Sequence, residues 1–343
     1  MKKAIGMVLV VCLCAGLFAG CSAKTVPGEE TRSIVGFYFD TVVTINVCSR
    51  DETVLQEALE QCARYEQLLS KTVEGSDVWN INHANGQPVQ VKKETMEILQ
   101  CAQQIAQRTH GAFDITIAPA ASLWDFTSSE AVLPDAQTLA QAAALTDYTL
   151  LELNQPECTV TLPAGHRIDL GGIAKGYIAD QVGKFLQEKG VKSGILNFGG
   201  NVVLLGEKAD GTPWQVGIQD PNGDTGEYLG VLSQEGGTVV TSGIYERGFT
   251  LDGTRYHHIL DPETGWPVQN ELASVTISCQ SSMQADALST ACFVLGLEKG
   301  MALVQEQPGV EAVFVTRQGE VWATDGAKAW LNLSGSNKTV APA

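Results

Sequence analysis

Residues Asp169 to Asp180 read Asp-Leu-Gly-Gly-Ile-Ala-Lys-Gly-Tyr-Ile-Ala-Asp, which places an acid, a glycine pair and a lysine where a turn enters a helix. Gly171 and Gly172 carry no side chain that would block a ligand, and the first N–H groups of a helix hold partial positive charge. Lys175 adds a full positive charge. The stretch therefore predicts a phosphate-binding turn, although glycine pairs also occur in turns that bind nothing.

On both sides of this turn, helical and strand patterns interleave without a regular βαβ repeat. Apolar residues at helical spacing predict helices at residues 51–69, 94–109, 134–145, 173–189 and 284–297. Alternating residues predict strands at 34–47, 89–91, 148–153 and 159–162, hairpins at 194–205 and 310–324, and mostly strand from 214 to 278. This order is typical of an α+β fold of mixed, largely antiparallel sheets flanked by helices.

The length of 343 residues fits either one large two-lobed domain or two tightly docked domains. We treat residues 34–335 as one large two-lobed unit and residues 336–343 as a tail.

The first twenty residues have the pattern of a lipoprotein signal peptide. Two lysines precede an apolar stretch that closes with Leu-Phe-Ala-Gly before Cys21, and this ending is typical of cleavage followed by lipidation of the thiol. The alternative is a retained N-terminal anchor helix. Residues 21–33 then have the composition of a flexible tether. Either interpretation predicts a protein held at a membrane, on its extracytoplasmic face.

The formal net charge of −17 argues against nucleic acid as a partner, because so acidic a chain repels polyphosphate at long range. A bound cation can still hold a small phosphate ligand. Of the nine cysteines, those after Cys21 form no CxxC pair, and Cys62, Cys101 and Cys292 fall among apolar positions of predicted helices. We therefore expect buried free thiols, with a single disulfide left open.

Asp286 and Thr290 lie four residues apart in a predicted helix, so their oxygens point to the same side. A carboxylate and a hydroxyl suit Mg²⁺, which prefers oxygen ligands and completes its shell with water and substrate phosphates. The alternative is structural: an acid in the first turn is favoured by the helix dipole, and a threonine hydroxyl can bond to a carbonyl of its own helix.

Tyr-His-His-Ile-Leu-Asp-Pro at residues 256–262 reads as a strand that enters a turn. Because neighbours on a strand face opposite ways, we expect only one of His257 and His258 to face a given pocket, as a base or a hydrogen-bond donor. Asp261 before Pro262 is typical of a turn.

Two further segments carry polar groups that could bind a ligand. Residues 241–247, Thr-Ser-Gly-Ile-Tyr-Glu-Arg, contain two hydroxyls, for which ligand binding is favoured over a serine nucleophile because no Gly-x-Ser-x-Gly elbow is present. In residues 109–116, Asp114 follows Phe113, which predicts either a grip on a heteroaromatic ligand or a core phenylalanine beside a solvated acid.

Taken together, these segments resemble the ApbE family of FAD:protein FMN transferases, many of which are bacterial lipoproteins. The resemblance covers about residues 37–327 and rests on seven motifs in the family's order: SKTVEGSDVWNIN, THGAFDITIAP, DLGGIAKGYIAD, NFGGNV, TSGIYER, HHILDPETG and ADALST. It implies Mg²⁺-dependent cleavage of the FAD diphosphate. FMN would pass as a phosphoester to a threonine or serine hydroxyl of an exported or membrane acceptor protein, and AMP would be released.

The resemblance also implies roles for individual residues. Asp286 and Thr290 match side-chain ligands of the metal, and Gly172 and Ser289 match positions that complete its shell through backbone oxygen. His258 matches the base toward the incoming hydroxyl. The positions that match FAD contacts are Phe39, Ala112, Phe113, Asp114, Asp169, Lys175 and Leu260.

Two departures from the family pattern concern the flavin end. Lys71-Thr72 follows a Leu-Ser pair where members can carry an aromatic residue that stacks on the flavin, and Phe39-Asp40-Thr41 stands where many have Met-Gly-Thr. Two other functions stay open: an FAD pyrophosphatase that uses water as the acceptor, and a lipoprotein that binds flavin without chemistry.

Overall fold

The computed structural model describes residues 30–127, 131–224, 226–334 and 339–341. The predicted signal peptide, Cys21 and most of the predicted tether lie outside these residues. The first strand begins at Glu30 and pairs with the next strand from that residue onward, Glu30 with Ser49 and Ser33 with Asn46. Residues 30–33, which we predicted as tether, therefore belong to the sheet.

Within the described residues, the helices are α1 (Val54–Leu69), α2 (Asp77–His83), α3 (Lys93–Arg108), α4 (Ala118–Ala121), α5 (Ala136–Ala143), α6 (Ala174–Glu188), α7 (Ser282–Gln305) and α8 (Asp325–Trp330). The strands are β1 (Glu30–Tyr38), β2 (Thr41–Ser49), β3 (Val89–Gln90), β4 (Glu152–Asn154), β5 (Thr159–Thr161), β6 (Gly194–Phe198), β7 (Asn201–Leu205), β8 (Trp214–Gln219), β9 (Tyr228–Gln234), β10 (Gly237–Gly243), β11 (Gly248–Leu251), β12 (Thr254–His257), β13 (Leu272–Cys279), β14 (Glu311–Thr316), β15 (Val321–Ala323) and β16 (Leu331–Leu333).

A long sheet forms the centre of the fold. Its strand order is β1-β2-β6-β7-β10-β13-β14-β15, and each neighbouring pair is antiparallel. Smaller antiparallel sheets are β16-β9-β8, β3-β5-β4 and the hairpin β11-β12. The predicted α+β class with largely antiparallel sheets is confirmed.

The central sheet carries a hydrophobic core on each face. Val240 on β10 belongs to the larger core, together with the apolar sides of α1, α3, α6 and α7. Its neighbour Val239 belongs to the second core, against β8, β9 and α8. This is the alternation expected of a strand that is buried on both faces.

The single strand predicted at 34–47 is a hairpin. Tyr38 pairs with Thr41, and Phe39 and Asp40 between them both have a φ of 55°. A two-residue turn preserves the alternation of side chains, and no glycine marks it, so the sequence pattern runs through the turn unbroken.

The other differences are local. Asp147 caps a 3-10 turn at Tyr148–Leu150, so the strand predicted at 148–153 is reduced to β4. Four short elements, α2, α4, α8 and β16, were not predicted from the sequence. α7 is interrupted at Gly296, where the backbone is not helical (φ 80°, ψ 179°), so the helix predicted at 284–297 corresponds to its first part and a second helical segment follows to Gln305.

The cysteines of the described residues are free, as expected. Cys62, Cys279 and Cys292 are buried among apolar side chains, whereas Cys101, which was expected to be buried, is only partly so.

Close packing of α6 against α7 positions the candidate site. A Cβ on Gly176 would lie 2.1 Å from the carbonyl oxygen of Ser282, so the contact requires a glycine. Asp180, one turn later, accepts hydrogen bonds from the N–H groups of Ser282 and Met283 at 2.8 and 3.0 Å and so caps α7. These contacts fix the next turn of α7, which carries Asp286, against the start of α6.

Within the described residues, α7 is also the one helix long and apolar enough to cross a membrane. It is largely buried inside the protein, where Ala287, Ala291 and Phe293 pack into the larger core. Core helices meet the same test of length and composition, and α7 is a core helix of this kind.

Candidate active site

One cavity of about 800 Å³ lies between the starts of α6 and α7, the β1–β2 turn and the segment that follows β12. Nearly all residues that the resemblance selected line it: Phe39, Ala112, Phe113, Asp114, Asp169, Gly172, Lys175, His258, Leu260, Asp286 and Thr290. Ser289 does not line the cavity. Its hydroxyl lies 2.8 Å from the Ser242 hydroxyl and donates to the Asp286 carbonyl at 2.9 Å, which leaves only its backbone for a ligand. Cys21 lies outside the described residues.

Several N–H groups at the glycine turn are already hydrogen-bonded within the protein. Those of Gly171, Ala174 and Gly176 donate to Asp169 Oδ1, the Leu170 carbonyl and Asp286 Oδ2, at 2.8, 2.8 and 2.9 Å. The prediction that the helix amides bind phosphate is therefore wrong for these three groups, because local turns and the contact with α7 supply acceptors. The positive charge of the turn comes from the Lys175 side chain.

Asp286 is a buried carboxylate at the contact of α6 and α7, with 3% of its surface exposed. While Oδ2 accepts the Gly176 N–H, Oδ1 has a long contact of 3.5 Å with the Lys175 ammonium. Thr290 lies one turn further along α7, and its hydroxyl is 3.4 Å both from the Asp286 carbonyl and from the Ser242 hydroxyl. Asp286 Oδ1 and the Thr290 hydroxyl thus make only weak contacts, so both can bind a cation.

This arrangement fits a magnesium ion that shares its shell with a ligand. A carboxylate oxygen and a hydroxyl are the donors that Mg²⁺ prefers, and phosphate oxygens and water fill its other positions. Gly172 borders the same point, because a Cβ there would lie 3.6 Å from the Thr290 hydroxyl. The described residues contain no group of three or more His, Cys, Asp or Glu side chains arranged for a metal, so such an ion would depend on the ligand's phosphates.

Lys71, the residue that departs from the family's aromatic pattern, also lines the cavity. Its ammonium lies 2.5 Å from Asp169 Oδ2, across the glycine turn from Lys175. The departure therefore replaces an aromatic surface with positive charge on the side of the cavity that holds Asp169.

The Asp114 carboxylate is bonded within the protein. Its Oδ1 accepts from the N–H and hydroxyl of Thr116 at 2.8 and 2.7 Å, and its Oδ2 accepts from the Tyr148 N–H at 2.8 Å. Burial raises its pKa, against these hydrogen bonds. The carboxylate fixes the loop that carries Phe113, which lies in the larger core as one alternative predicted. The acid beside it is buried rather than solvated, and the predicted contact of this segment with a ligand stays a prediction.

The β1–β2 turn closes another side of the cavity. The Phe39 N–H donates to Glu66 Oε1 at 2.7 Å, and the Asp40 carbonyl accepts from the Arg247 guanidinium at 2.8 Å. These two hydrogen bonds hold the left-handed turn against α1 and against the segment after β10.

His257 and His258 face opposite ways, as the strand alternation predicted. His257 has no exposed surface, its Nε2 lies 3.0 Å from the Val268 carbonyl, and burial lowers its pKa to about 4. His258 lines the cavity, where burial and then the charges of Lys175 and Arg247 lower its pKa to about 3. A neutral imidazole therefore faces the cavity at neutral pH.

Two groups in the cavity wall were not predicted as site residues from the sequence. Glu246 lies 3.8 Å from His258, and burial raises its pKa to about 7. Trp124 and Phe126 stack at 5.2 Å in a larger aromatic cluster. Glu246 belongs to the motif TSGIYER, and Trp124 and Phe126 follow the motif THGAFDITIAP. The sequence does not show which cavity an acid or an aromatic residue faces.

Ser242 shows no sign of activation as a nucleophile. In the described residues its hydroxyl contacts those of Ser289 and Thr290, at 2.8 and 3.4 Å, rather than a base. Ser242 and Thr241 both line the cavity, and the predicted binding of a ligand by these hydroxyls stays a prediction.

Comparison with known proteins gives one consistent family. A family model described as the ApbE family matches residues 39–314. The chain is 38% identical to an FAD:protein FMN transferase of Klebsiella pneumoniae (strain 342) over 281 residues, which cover 81% of this chain and 87% of that protein. It is 34% identical to an FAD:protein FMN transferase of Treponema pallidum (strain Nichols) over 340 residues, 93% of this chain and 92% of that protein.

Solved structures agree with the sequence relatives. The ApbE protein of Thermotoga maritima MSB8 superposes with a TM-score of 0.81 at 34% identity, and the match covers 88% of this chain and 99% of that one. The flavin transferase ApbE from Vibrio cholerae gives a TM-score of 0.79 at 28% identity with the same coverage, 88% and 99%.

Proposed function

We propose that this chain, which belongs to the ApbE family, transfers FMN from FAD to a hydroxyl group of another protein and releases AMP. The family match over residues 39–314 confirms the resemblance seen in the motifs, and relatives named FAD:protein FMN transferase support the reaction. The observation that carries the proposal is the meeting of Lys175, Asp286, Thr290 and His258 around one cavity of about 800 Å³, a size that suits a dinucleotide.

The diphosphate of FAD is proposed to lie beside Lys175 and the Asp286–Thr290 pair. A magnesium ion would be held by Asp286 Oδ1 and the Thr290 hydroxyl, with backbone oxygens of Gly172 and Ser289. When bound, Mg²⁺ supplies neutralisation of charge on the phosphates and on the leaving oxygen. Lys175 adds a second positive charge at the same place.

His258 is proposed to remove the proton of the acceptor hydroxyl. The hydroxyl oxygen then forms a bond to the phosphorus of FMN, the bond from that phosphorus to the bridging oxygen breaks, and AMP leaves with that oxygen. His258 is suited to this step because it lines the cavity and is neutral at neutral pH.

The acceptor in this proposal is an exported or membrane protein that presents a threonine or serine. The lipobox cysteine, Cys21, supports this part, since a lipid anchor there would hold the chain at the extracytoplasmic face of a membrane.

The test is an incubation of the full chain with FAD, Mg²⁺ and the exported proteins of its source organism. We expect AMP in solution, flavin fluorescence on a denatured protein band, and the mass of FMN on a threonine or serine peptide. Wild-type chain treated with a chelator is the control.

Each alternative gives a different product. Free FMN and AMP without a labelled protein band would identify an FAD pyrophosphatase. FAD recovered intact would identify a flavin-binding lipoprotein and would overturn the proposed function.

A further inference from the structure

The hairpin β11-β12 brings an acid next to the base. Gly248 pairs with His257, and the His258 N–H donates to the Arg247 carbonyl at 3.2 Å. Glu246 and His258, which flank this hairpin in sequence, are thereby placed side by side, with Glu246 Oε2 3.8 Å from His258 Nε2. Both side chains are partly buried and both line the cavity.

Among the described residues, Glu246 is the one acid within ion-pair distance of the His258 ring. His258 Nδ1 is buried without a hydrogen-bond partner among them. Within the same residues, Glu246 forms an ion-pair contact of 4.0 Å or less with His258 and with no lysine or arginine. The arrangement is therefore not explained by a structural ion pair to Arg247 or Lys175.

The charges around His258 determine how easily it can accept a proton. Lys175, Arg247 and the buried His257 disfavour a proton on His258, and Asp286 and Glu246 are the acids on the same side of the cavity. A histidine surrounded by cations is a weak base, whereas proton removal is most efficient when the base is matched to the working pH. His258 therefore needs a negative partner at the moment it gains charge.

We propose that Glu246 is a positioning residue for His258: its carboxylate faces Nε2, orients the imidazole and balances the positive charge that His258 gains from the acceptor hydroxyl. This inference rests on the proposed function. The proton of the hydroxyl moves to His258, the hydroxyl oxygen bonds to the FMN phosphorus, AMP leaves with the bridging oxygen, and the imidazolium formed is paired with the Glu246 carboxylate.

The experiment compares Glu246→Gln, Glu246→Asp and the wild-type chain, each with FAD, Mg²⁺ and the exported-protein acceptor fraction. Glu235→Gln, at the exposed turn between β9 and β10, is the matched control. We expect Glu246→Gln to lower kcat for FMN transfer about a hundredfold, with KM for FAD changed less than about twofold, because the contact is proposed to act in proton transfer rather than in FAD binding. Glu246→Asp keeps the carboxylate, so its kcat should be about tenfold higher than that of Glu246→Gln.

The pH profile separates a charge effect from a structural one. Burial raises the pKa of Glu246 to about 7, so the wild-type rate should fall as pH decreases through that value and the carboxylate is neutralised. Glu246→Gln should show a low rate without this acidic limb. If the substitution only reduced the fraction of folded protein, the molecules that remain folded would still show the fall in rate at acidic pH.

The outcomes distinguish this inference from the proposed function. If wild type transfers FMN and Glu246→Gln keeps its kcat and its pH profile, the role of Glu246 is refuted and the proposed function stands. If the wild-type chain transfers no FMN to any protein, both fall together.

Discussion

His257 and His258 are neighbours in the chain, yet the alternation of the strand gives them separate environments. His257 is enclosed by the core and bonded to a backbone carbonyl, whereas His258 faces the cavity beside Glu246. Burial lowers the pKa of both, to about 4 and about 3. The same physical cause thus yields a structural group in one case and a candidate base in the other, and the difference lies in what each ring faces.

At the same scale, Asp286→Asn should separate charge from structure at the candidate metal site. The amide oxygen of asparagine can still accept the Gly176 N–H, which now donates to Asp286 Oδ2 at 2.9 Å, but the negative charge is lost. We expect AMP release from FAD to fall about a thousandfold, because the cation that offsets phosphate charge is no longer held. The measurement is initial rate against Mg²⁺ concentration.

Asp325→Asn, a fully exposed acid at the start of α8, is the control for this change. The thermal midpoint of Asp286→Asn should stay close to that of wild type. Turnover that remains normal at saturating Mg²⁺ would contradict the assignment of Asp286.

At the scale of elements, the packing of α6 on α7 decides the geometry of the site. Gly176 permits the close approach of α6 and α7, and Asp180 on α6 caps the start of α7. Asp286 on α7 in turn accepts the Gly176 N–H near the start of α6. The two helices thus cap one another. A site built on such a pair is held by backbone contacts rather than by loop conformation.

Gly176→Ala should therefore destabilise the protein strongly. The added Cβ would lie 2.1 Å from the Ser282 carbonyl oxygen and 2.8 Å from Asp286 Cβ, so the helices must separate. We expect a loss of about 3 kcal/mol or more in the free energy of unfolding, measured by urea denaturation.

Gly190→Ala is the matched comparison. Gly190 has a φ of 87° and nothing lies within 4 Å of a Cβ built there, so its replacement reports backbone strain alone. This variant should lose about 1 kcal/mol. Equal losses for the two variants would show that the contact between α6 and α7 is not tight.

The sequence predicted long elements better than short ones. α3, predicted at 94–109, is observed at Lys93–Arg108, because its apolar residues recur over four turns and Gly111 follows its end. The β1–β2 turn was missed because Phe39 and Asp40 adopt a left-handed backbone that usually calls for glycine or asparagine.

Site residues could be selected from the motifs, but their partners could not. The motifs identified Asp286, Lys175 and His258, whereas the hydrogen bond that occupies the Gly176 N–H follows from the contact between α6 and α7. No local pattern encodes that contact. The pairing of Glu246 with His258 likewise depends on the β11-β12 hairpin rather than on residue type.

At the scale of the whole molecule, His257 should make stability depend on pH. Its pKa is about 4 in the folded chain and 6.5 in an unfolded one, so below pH 6.5 the unfolded chain binds more protons. His257 thus contributes stability that is present above pH 6.5 and is lost as pH falls toward 4, on the order of 3 kcal/mol.

The buried acids act in the opposite sense. Burial raises the pKa of Asp114, Asp180 and Glu246, so their contribution favours the folded state at lower pH. Comparing wild type with His257→Gln in urea denaturation between pH 4 and 7 isolates the histidine. The difference in unfolding free energy between the two proteins should narrow as pH falls, and a constant difference would contradict the prediction.

Membrane attachment through Cys21 and FMN transfer are predicted to be separable. Among the described residues, those that line the cavity begin at Phe39, so we expect its chemistry to proceed without the lipid anchor. Cys21→Ala should release the protein from the membrane fraction, because lipidation needs the thiol and a peptide leader alone gives weaker anchoring. The purified variant should still transfer FMN to a soluble acceptor at the wild-type rate, while labelling of membrane acceptors in cells should fall. Immunoblots of membrane and soluble fractions, with flavin fluorescence of the same gels, measure both effects; a variant that stays in the membrane fraction would show that Cys21 is not the anchor.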